Sequence, residues 1–268
     1  MLDIAIIGAG PAGLSAAINA VQRGRRAVVF GRGKESSFLY KAERVDNFLG
    51  LPGLSGVQML DVFANHVKSM DVEIREGRVL QILSMGEYFS INFDNIIENS
   101  RTIILATGIV KGDKIKGEEE FLGRGVSYCA TCDGMLYRGK EVAVVGDSDE
   151  AEEDAAFLRK LASAVHVIKS KPTRVIGEDF VTGLETADGV IQAAGIFFIR
   201  ETMPFDSLIA GIELENGLVK VDRLQQTNIS GVFAAGDCTG WPYQLPKAVG
   251  EGQIAAQQAD RYISKLII

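Results

Sequence analysis

The feature that most constrains the fold is a strand, a glycine-rich turn, a helix and a second strand at the start of the chain. Leu2 to Ile7 is almost wholly apolar with little alternation, as expected of a parallel strand buried on both faces. It runs into Gly8-Ala9-Gly10-Pro11-Ala12-Gly13. A helical pattern follows from Leu14 to Gln22, ending near Gly24, and Ala27 to Phe30 reads as the next strand. That context lifts a G-x-G-x-x-G spacing above chance. One glycine makes the tight turn, one lets backbone approach a pyrophosphate, and one permits close helix–strand packing. The helix N-terminus adds free N–H groups and a positive field. A tight crossover with no ligand is the competing reading. An acidic residue usually ends the second strand, but here Phe30 is followed by Gly31-Arg32-Gly33, so a ribose contact is expected from backbone or Arg32.

The unit recurs. Val142 to Val145 leads into Gly146, aligning Gly8 with Gly146, Gly10 with Ser148 and Gly13 with Ala151. The architecture is repeated and the phosphate chemistry is not. The second turn carries Asp147, Asp149 and Glu150, then Glu152, Glu153 and Asp154. Like charges about 4 Å apart cost about 4 kcal/mol each at an effective dielectric near 20. The lost glycines also add Cβ atoms where backbone should meet a ligand. This second site is expected to bind no dinucleotide.

Between the two units the pattern predicts a helix over 55–69 and strands over 72–74, 79–83, 88–93 and 101–105, the last ending at Ala106-Thr107-Gly108. A second domain is expected from about Gly112, with strands over 165–168, 181–184 and 191–199, then Arg200-Glu201-Thr202-Met203-Pro204. The chain is expected to return to the first domain near Gly211. Strands over 218–221 and 232–235 follow, the latter leading into Gly236-Asp237, a turn able to bind a ribityl hydroxyl or phosphate. A last helix is expected over 247–266.

The chemistry-bearing stretch is Ser127-Tyr128-Cys129-Ala130-Thr131-Cys132-Asp133-Gly134. Two cysteines two residues apart can close a small disulfide ring or open to a dithiol, and in a cytosolic protein the spacing reads as redox chemistry. Zinc would need two further ligands at metal spacing, whereas the remaining candidates are Cys238, His66 and His166, far apart in sequence. A c-type haem site would need His where Asp133 stands. Asp133 and Gly134 suggest a helix start whose dipole would favour Cys132 as thiolate. Two buried cysteines that never react are the bland alternative. Cys238 reads as a small packed residue.

At 268 residues the chain can hold two domains with their own cores. Its 47% apolar and 24% charged residues are ordinary for a globular protein. No apolar run approaches the roughly 18–20 residues that span a bilayer, and no cationic segment precedes the N-terminal apolar run, so neither membrane insertion nor a signal peptide is expected. Three cysteines are too few for a secreted disulfide scaffold, which points to a reducing cytoplasm. A net charge of −7 argues against nucleic acid as partner.

Gly8 to Gly13, Ala106-Thr107-Gly108, Cys129-Ala130-Thr131-Cys132-Asp133 and Ala235-Gly236-Asp237 stand in the order found in low-molecular-weight thioredoxin reductases, and the resemblance covers nearly the whole chain. It implies an α/β, two-domain flavoprotein disulfide reductase fold. A Rossmann-like FAD domain, 1–111 with 212–268, would carry an inserted, reduced NADPH-domain-like module over 112–211. By resemblance Cys132 faces the flavin, Cys129 attacks thioredoxin and Asp133 is the general acid. FAD contacts are expected from Gly8, Gly10, Pro11, Ala12, Gly13, Gly31, Arg32, Asn47, Val79, Ala106, Thr107, Gly108, Gly236, Asp237, Tyr243, Gln244 and Leu245. A homodimer is likewise implied.

The departures narrow the resemblance. The family's NADPH fingerprint is replaced by Gly146-Asp147-Ser148-Asp149-Glu150-Ala151, and its His-Arg-Arg motif by Ile168-Lys169-Ser170-Lys171-Pro172. Ile199-Arg200-Glu201 stands where Ala-Ile-Gly is usual, Lys34 to Tyr40 replaces a Gly-Gly-Gln segment near the flavin, and the middle domain is short. Together with Gly240-Trp241-Pro242-Tyr243-Gln244, these resemble the ferredoxin-dependent flavin thioredoxin reductases, which keep FAD and the cysteine pair without NADPH binding. Ferredoxin is then the expected donor. Arg23, Arg25, Arg26, Arg32, Lys34, Lys41 and Arg44 form a candidate docking face, with an ordinary solvated positive face as the alternative. Three rivals are an NADPH-dependent enzyme using Lys169, Lys171 and Arg174, a non-catalytic redox-sensing flavoprotein, and a reductase of another acceptor such as a glutaredoxin-like protein.

Overall fold

A computed structural model describes residues 1–109, 114–199 and 203–266. The expectations placed on Gly112, Arg200, Glu201 and Thr202 lie outside the described residues. The chain divides into two compact units, Met1–Val110 with Pro204–Ile268, and Lys111–Met203.

In the first unit the N-terminal apolar run forms β1 (Leu2–Ile7), followed by α1 (Pro11–Val21) and β2 (Ala27–Gly31). Then come α2 (Gly56–Ser69), β3 (Glu73–Glu76), β4 (Val79–Ser84), β5 (Phe89–Phe93) and β6 (Ile96–Leu105). Ser55 caps α2 through a capping box with Gln58, which satisfies two of the helix's orphan N–H groups. β1 pairs in parallel with β2 and with the second half of β6, and β2 with β3. β6 is twice the length expected. Its first half pairs antiparallel with β5 and leaves Ile96 and Ile97 exposed, so it lacks the continuous buried run that marks the second half. The overlooked signal is Asp94-Asn95, both at positive φ, which closes a two-residue hairpin.

The second unit holds β7 (Val126–Ser127), the short α3 (Ala130–Asp133), β8 (Glu141–Val145), α4 (Asp149–Leu158) and β9 (Ala164–Ile168). After these come β10 (Arg174–Gly177), β11 (Val181–Thr186), β12 (Gly189–Gln192) and β13 (Gly195–Phe198). A parallel sheet in the order β7-β13-β8-β9 packs Val142, Val144 and Phe197 against Ala151, Ala155 and Leu158 of α4. β10, β11 and β12 make a separate antiparallel sheet. The strand expected over 191–199 is therefore two. Ala193-Ala194 carries the chain out of the hairpin with β11 and into the parallel sheet.

The chain rejoins the first unit at Pro204, eight residues before position 212. The physical reason is α5 (Phe205–Leu208): Phe205, Leu208, Ile209 and Ile212 are buried, and Ile209 bridges to Ile82 of β4. β14 (Leu214–Glu215) and β15 (Leu218–Val219) form a small hairpin, shorter than the strand expected over 218–221. β16 (Val232–Ala234) then pairs in parallel with the end of β6, completing a seven-stranded sheet. α6 (Leu245–Leu266) covers α1. Its small buried face of Ala248, Gly252, Ala255, Ala256 and Ala259 allows that close approach. No helix among the described residues is long and apolar enough to cross a membrane.

Candidate functional site

In the first unit, the C-terminal ends of β1, β2, β6 and β16 bring most of the sequence-predicted binding residues together. Gly8 has φ +122°, and a Cβ there would stand 2.2 Å from the Ala106 carbonyl oxygen, so the first turn and the end of β6 nearly touch. A Cβ on Gly13 would meet the Gly8 carbonyl at 1.9 Å, which is the helix–strand packing role assigned to the third glycine. Around Gly10 nothing lies within 4 Å of that direction. The middle glycine therefore presents open backbone at the start of α1, with Pro11 just inside the helix. Gly31 explains the missing acidic residue, because a side chain at this end of β2 would stand 2.6 Å from the Ala9 nitrogen. Gly236, at φ +89°, packs against Ala12.

The other predicted binding residues are placed as follows. Thr107 keeps its Oγ1 buried with no hydrogen-bond partner. An orphaned hydroxyl there fits a ligand group, since burying one unpaired costs about 1–3 kcal/mol. Asn47 Nδ2 donates to Gln244 Oε1 at 3.0 Å, joining two distant binding candidates. Gly108 and Arg32 continue the turns after β6 and β2, Leu245 opens α6 and Tyr243 is exposed before it. Val79 stands apart at the start of β4, where it pairs with Phe93, whose ring meets Phe30 edge-on at 5.1 Å. Burial pushes the Asp237 carboxyl up from its ordinary value, opposed by Lys247 and reinforced by Glu251. The arrangement fits an extended ligand with a diphosphate at the first turn and hydroxyls near Thr107 and Asp237.

Two residues at this site escaped the sequence reading. Lys247 Nζ donates to the carbonyls of Gly236 (2.9 Å) and Gly240 (2.8 Å) and to Thr239 Oγ1 (3.0 Å). Glu251 Oε2 accepts from Gly236 N–H (2.8 Å) and Thr239 Oγ1 (2.9 Å) and lies 3.1 Å from Lys247 Nζ. This pair ties the Gly236–Gly240 turn to α6. The available signal was an opposite-charge pair four residues apart on a stripe of Ala and Gly.

In the second unit, Cys129 and Cys132 are joined by a disulfide, with 5.3 Å between their Cα atoms. The expected helix start lies earlier than Asp133. Cys129 is the N-cap of α3, and its Sγ accepts from the Cys132 N–H at 3.2 Å. The helix therefore starts at Cys129, and Cys132 sits inside its first turn. Cys129 is buried and Cys132 exposed. Asp133 Oδ2 lies 2.7 Å from Ser127 Oγ. Tyr137 is pushed up from its ordinary value by burial and then by Asp133. Cys238, in the first unit, is fully buried beneath the carbonyls of Ala235 and Leu105, and burial pushes its thiol up to about 12. Among the described residues no cluster of His, Cys, Asp and Glu is arranged to hold a metal.

The repeated turn differs from the first. Ser148 caps α4 by accepting from Ala151 N, and the Ala151 Cβ stands where a Cβ on Gly146 would come within 2.9 Å. Asp149, Glu150 and Glu152 fill the first helical turn, and Lys169 pairs with Glu152 at 2.9 Å. Arg174 is paired with Glu185. Of the proposed docking cations, Arg25 pairs with Asp260, Lys34 with Asp61 and Arg44 with Asp46, which weakens a continuous positive face.

A glycine turn at the head of a parallel sheet, with a CxxC disulfide in a second unit, defines the class. The chain belongs to the pyridine nucleotide-disulphide oxidoreductase family, whose profile matches residues 2–204 and 170–252. It is an oxidoreductase and a homologue of thioredoxin reductases. A ferredoxin-flavin thioredoxin reductase from Clostridium acetobutylicum superposes with a TM-score of 0.92 at 41% identity, covering 98% of each chain. A thioredoxin reductase from Gloeobacter violaceus gives 0.81 at 32% identity, covering 98% of this chain and 94% of that one. In sequence, the thioredoxin reductase of Aquifex aeolicus is 32% identical over 98% of this chain and 93% of its own.

Proposed function

We propose that the protein reduces thioredoxin, passing electrons from reduced ferredoxin through FAD and the Cys129–Cys132 disulfide. The Gly8–Gly13 turn would hold the FAD diphosphate, with Thr107, Asp237, Asn47 and Gln244 supplying polar contacts. Bound there, FAD would collect single electrons and deliver them as a pair to the disulfide. Ferredoxin clusters near −400 mV and thioredoxin near −270 mV make the overall transfer downhill by roughly 6 kcal/mol per disulfide.

The chain's own residues account for the exchange. Two electrons and two protons convert the disulfide to the dithiol, and transfer of the Cys129 proton to the Asp133 carboxylate leaves Cys129 as thiolate, with the Cys132 N–H directed at its sulfur. That thiolate attacks the thioredoxin disulfide, forming a mixed disulfide, and the departing thioredoxin thiolate takes a proton from Asp133. Cys132 then gives its proton to the freed Asp133 carboxylate and, as thiolate, attacks the Cys129 sulfur, restoring the ring and releasing the second thioredoxin thiolate, which takes that proton from Asp133. With only 8% of Cys129 exposed, it must be uncovered before it can meet a protein disulfide.

The observation that carries the choice of donor is the acidic second turn, where Ala151 and three carboxylates stand in place of glycine and open backbone. It disfavours a nicotinamide dinucleotide through charge and sterics. A second reading, NADPH as donor, would draw on a pocket of about 240 Å³ between the end of β9 at Ile168 and Lys169 and the β11–β12 hairpin at Thr186, Asp188 and Val190, where Lys169 lines it together with the acidic Asp188. The exchange scheme is tested with Cys129→Ser. Reduced protein should lose all thioredoxin reduction while its flavin is still reduced. Thioredoxin reduction surviving in that variant would reject Cys129 as nucleophile.

A further inference from the structure

Ser127 is buried at the end of β7, with 3% of its surface exposed, two residues before the disulfide. Three groups surround its hydroxyl oxygen. Cys129 N–H donates to it at 3.1 Å, Asp133 Oδ2 lies at 2.7 Å and the Cys129 carbonyl oxygen at 3.2 Å. A hydroxyl has one proton to give and two lone pairs with which to accept. It cannot serve the carboxylate and the carbonyl at once, so the three contacts describe two hydrogen-bond arrangements of one geometry.

With Asp133 ionised, the Ser127 proton points to Oδ2 and the Cys129 N–H fills a lone pair of the hydroxyl. With Asp133 protonated, the carboxyl O–H donates to Ser127 Oγ, and the hydroxyl proton turns to the Cys129 carbonyl. No heavy atom has to move. We propose that Ser127 is the positioning residue for Asp133, holding it beside the disulfide both before and after it gives up its proton. The hydroxyl also ties that carboxyl to both backbone groups of the nucleophile's own residue. The inference rests on the reading of Asp133 as proton donor, and it adds a residue that acts through that carboxyl. Thr131 places its hydroxyl 3.5 Å from the Cys129 sulfur, on the nucleophile itself.

The test uses the flavin-loaded protein, reduced anaerobically with one equivalent of dithionite and mixed with oxidised thioredoxin in single turnover, so that no donor protein is required. Hydrogen bonds to charged groups contribute enough that losing one lowers a rate about tenfold. Ser127→Ala should therefore lower the saturating rate about tenfold, with less than about a twofold change in the thioredoxin concentration giving half-saturation. Ser127→Thr, which restores a hydroxyl, should recover most of the rate. In an Asp133→Asn background, Ser127→Ala should cost less than about twofold, because its partner is already disabled. If Asp133→Asn is slow but Ser127→Ala adds its full tenfold cost, Ser127 acts independently and the inference is wrong while the reading of Asp133 stands. If Asp133→Asn is as fast as wild type, the proton-donor reading itself fails, and the inference falls with it. Should the alanine variant unfold at the assay temperature, the same variants are compared at a lower temperature where it stays folded, and its coupling to Asp133→Asn decides between the same outcomes.

Discussion

Removing Glu251 should damage the first unit more than removing Glu251 and Lys247 together. Both side chains are largely buried, at 17% and 15% exposed. In Glu251→Ala the Lys247 ammonium keeps three neutral acceptors and the more distant charge of Asp237 but loses its ion-paired carboxylate, and Gly236 N–H loses its acceptor. Breaking one side of a buried pair typically costs about 3–5 kcal/mol, because an uncompensated charge stays behind. In the double variant Lys247→Met, Glu251→Leu that charge is gone, and the remaining defects are the Gly236 N–H and the Gly240 carbonyl left without their side-chain partners, at about 1–3 kcal/mol for the N–H and less for the carbonyl. Thermal unfolding of the single and double variants, followed by far-ultraviolet circular dichroism, measures the difference. The single variant should melt roughly 10 °C below wild type and the double clearly less. A double variant as unstable as the single, or more so, would refute the claim that this ion pair braces the Gly236–Gly240 turn.

Asp237→Asn should stabilise the ligand-free protein at neutral pH. Burial raises the folded-state value of Asp237 above its unfolded one, so its favourable contribution is present below the unfolded pKa and is lost as pH rises through the folded one; the gain from Asn should therefore vanish in acid below about pH 4, as read from unfolding free energy against pH. The same variant should bind flavin less tightly, which flavin release on dilution reports. In reduced native protein at pH 8, iodoacetamide should modify the Cys129–Cys132 pair and leave Cys238 unmodified until the chain is unfolded. A thiol pushed up to about 12 is ionised there in only about one molecule in ten thousand. Mass spectrometry of the native labelled protein showing modified Cys238 would contradict its burial.

The first strand–turn–helix and the cysteine pair were legible because their signals are local. An apolar run, glycines at fixed offsets and a two-residue cysteine spacing each act within about twenty residues. The acidic second turn was legible for the same reason, and the structure adds that Ala151 occupies the room near Gly146. What the sequence left hidden depends on contacts between distant segments. The return at Pro204 is set by Ile209 meeting Ile82, more than a hundred residues away. Gly31 replaces an acidic residue because Ala9 crowds it, and the Lys247–Glu251 pair has meaning only once the Gly236 turn lies against α6. The helix start was misplaced toward Asp133 because a cysteine is an uncommon N-cap, so Cys129 was not read as one.

The central claim is that electrons reach the disulfide through a flavin reduced by ferredoxin and not by a nicotinamide. The most direct measurement is anaerobic: the oxidised-flavin absorbance of purified protein is followed after separate additions of reduced ferredoxin, NADPH and NADH. Rapid bleaching by ferredoxin, with neither nucleotide effective, is the predicted result. Rapid bleaching by NADPH would contradict it and make the acidic second turn a working nucleotide site.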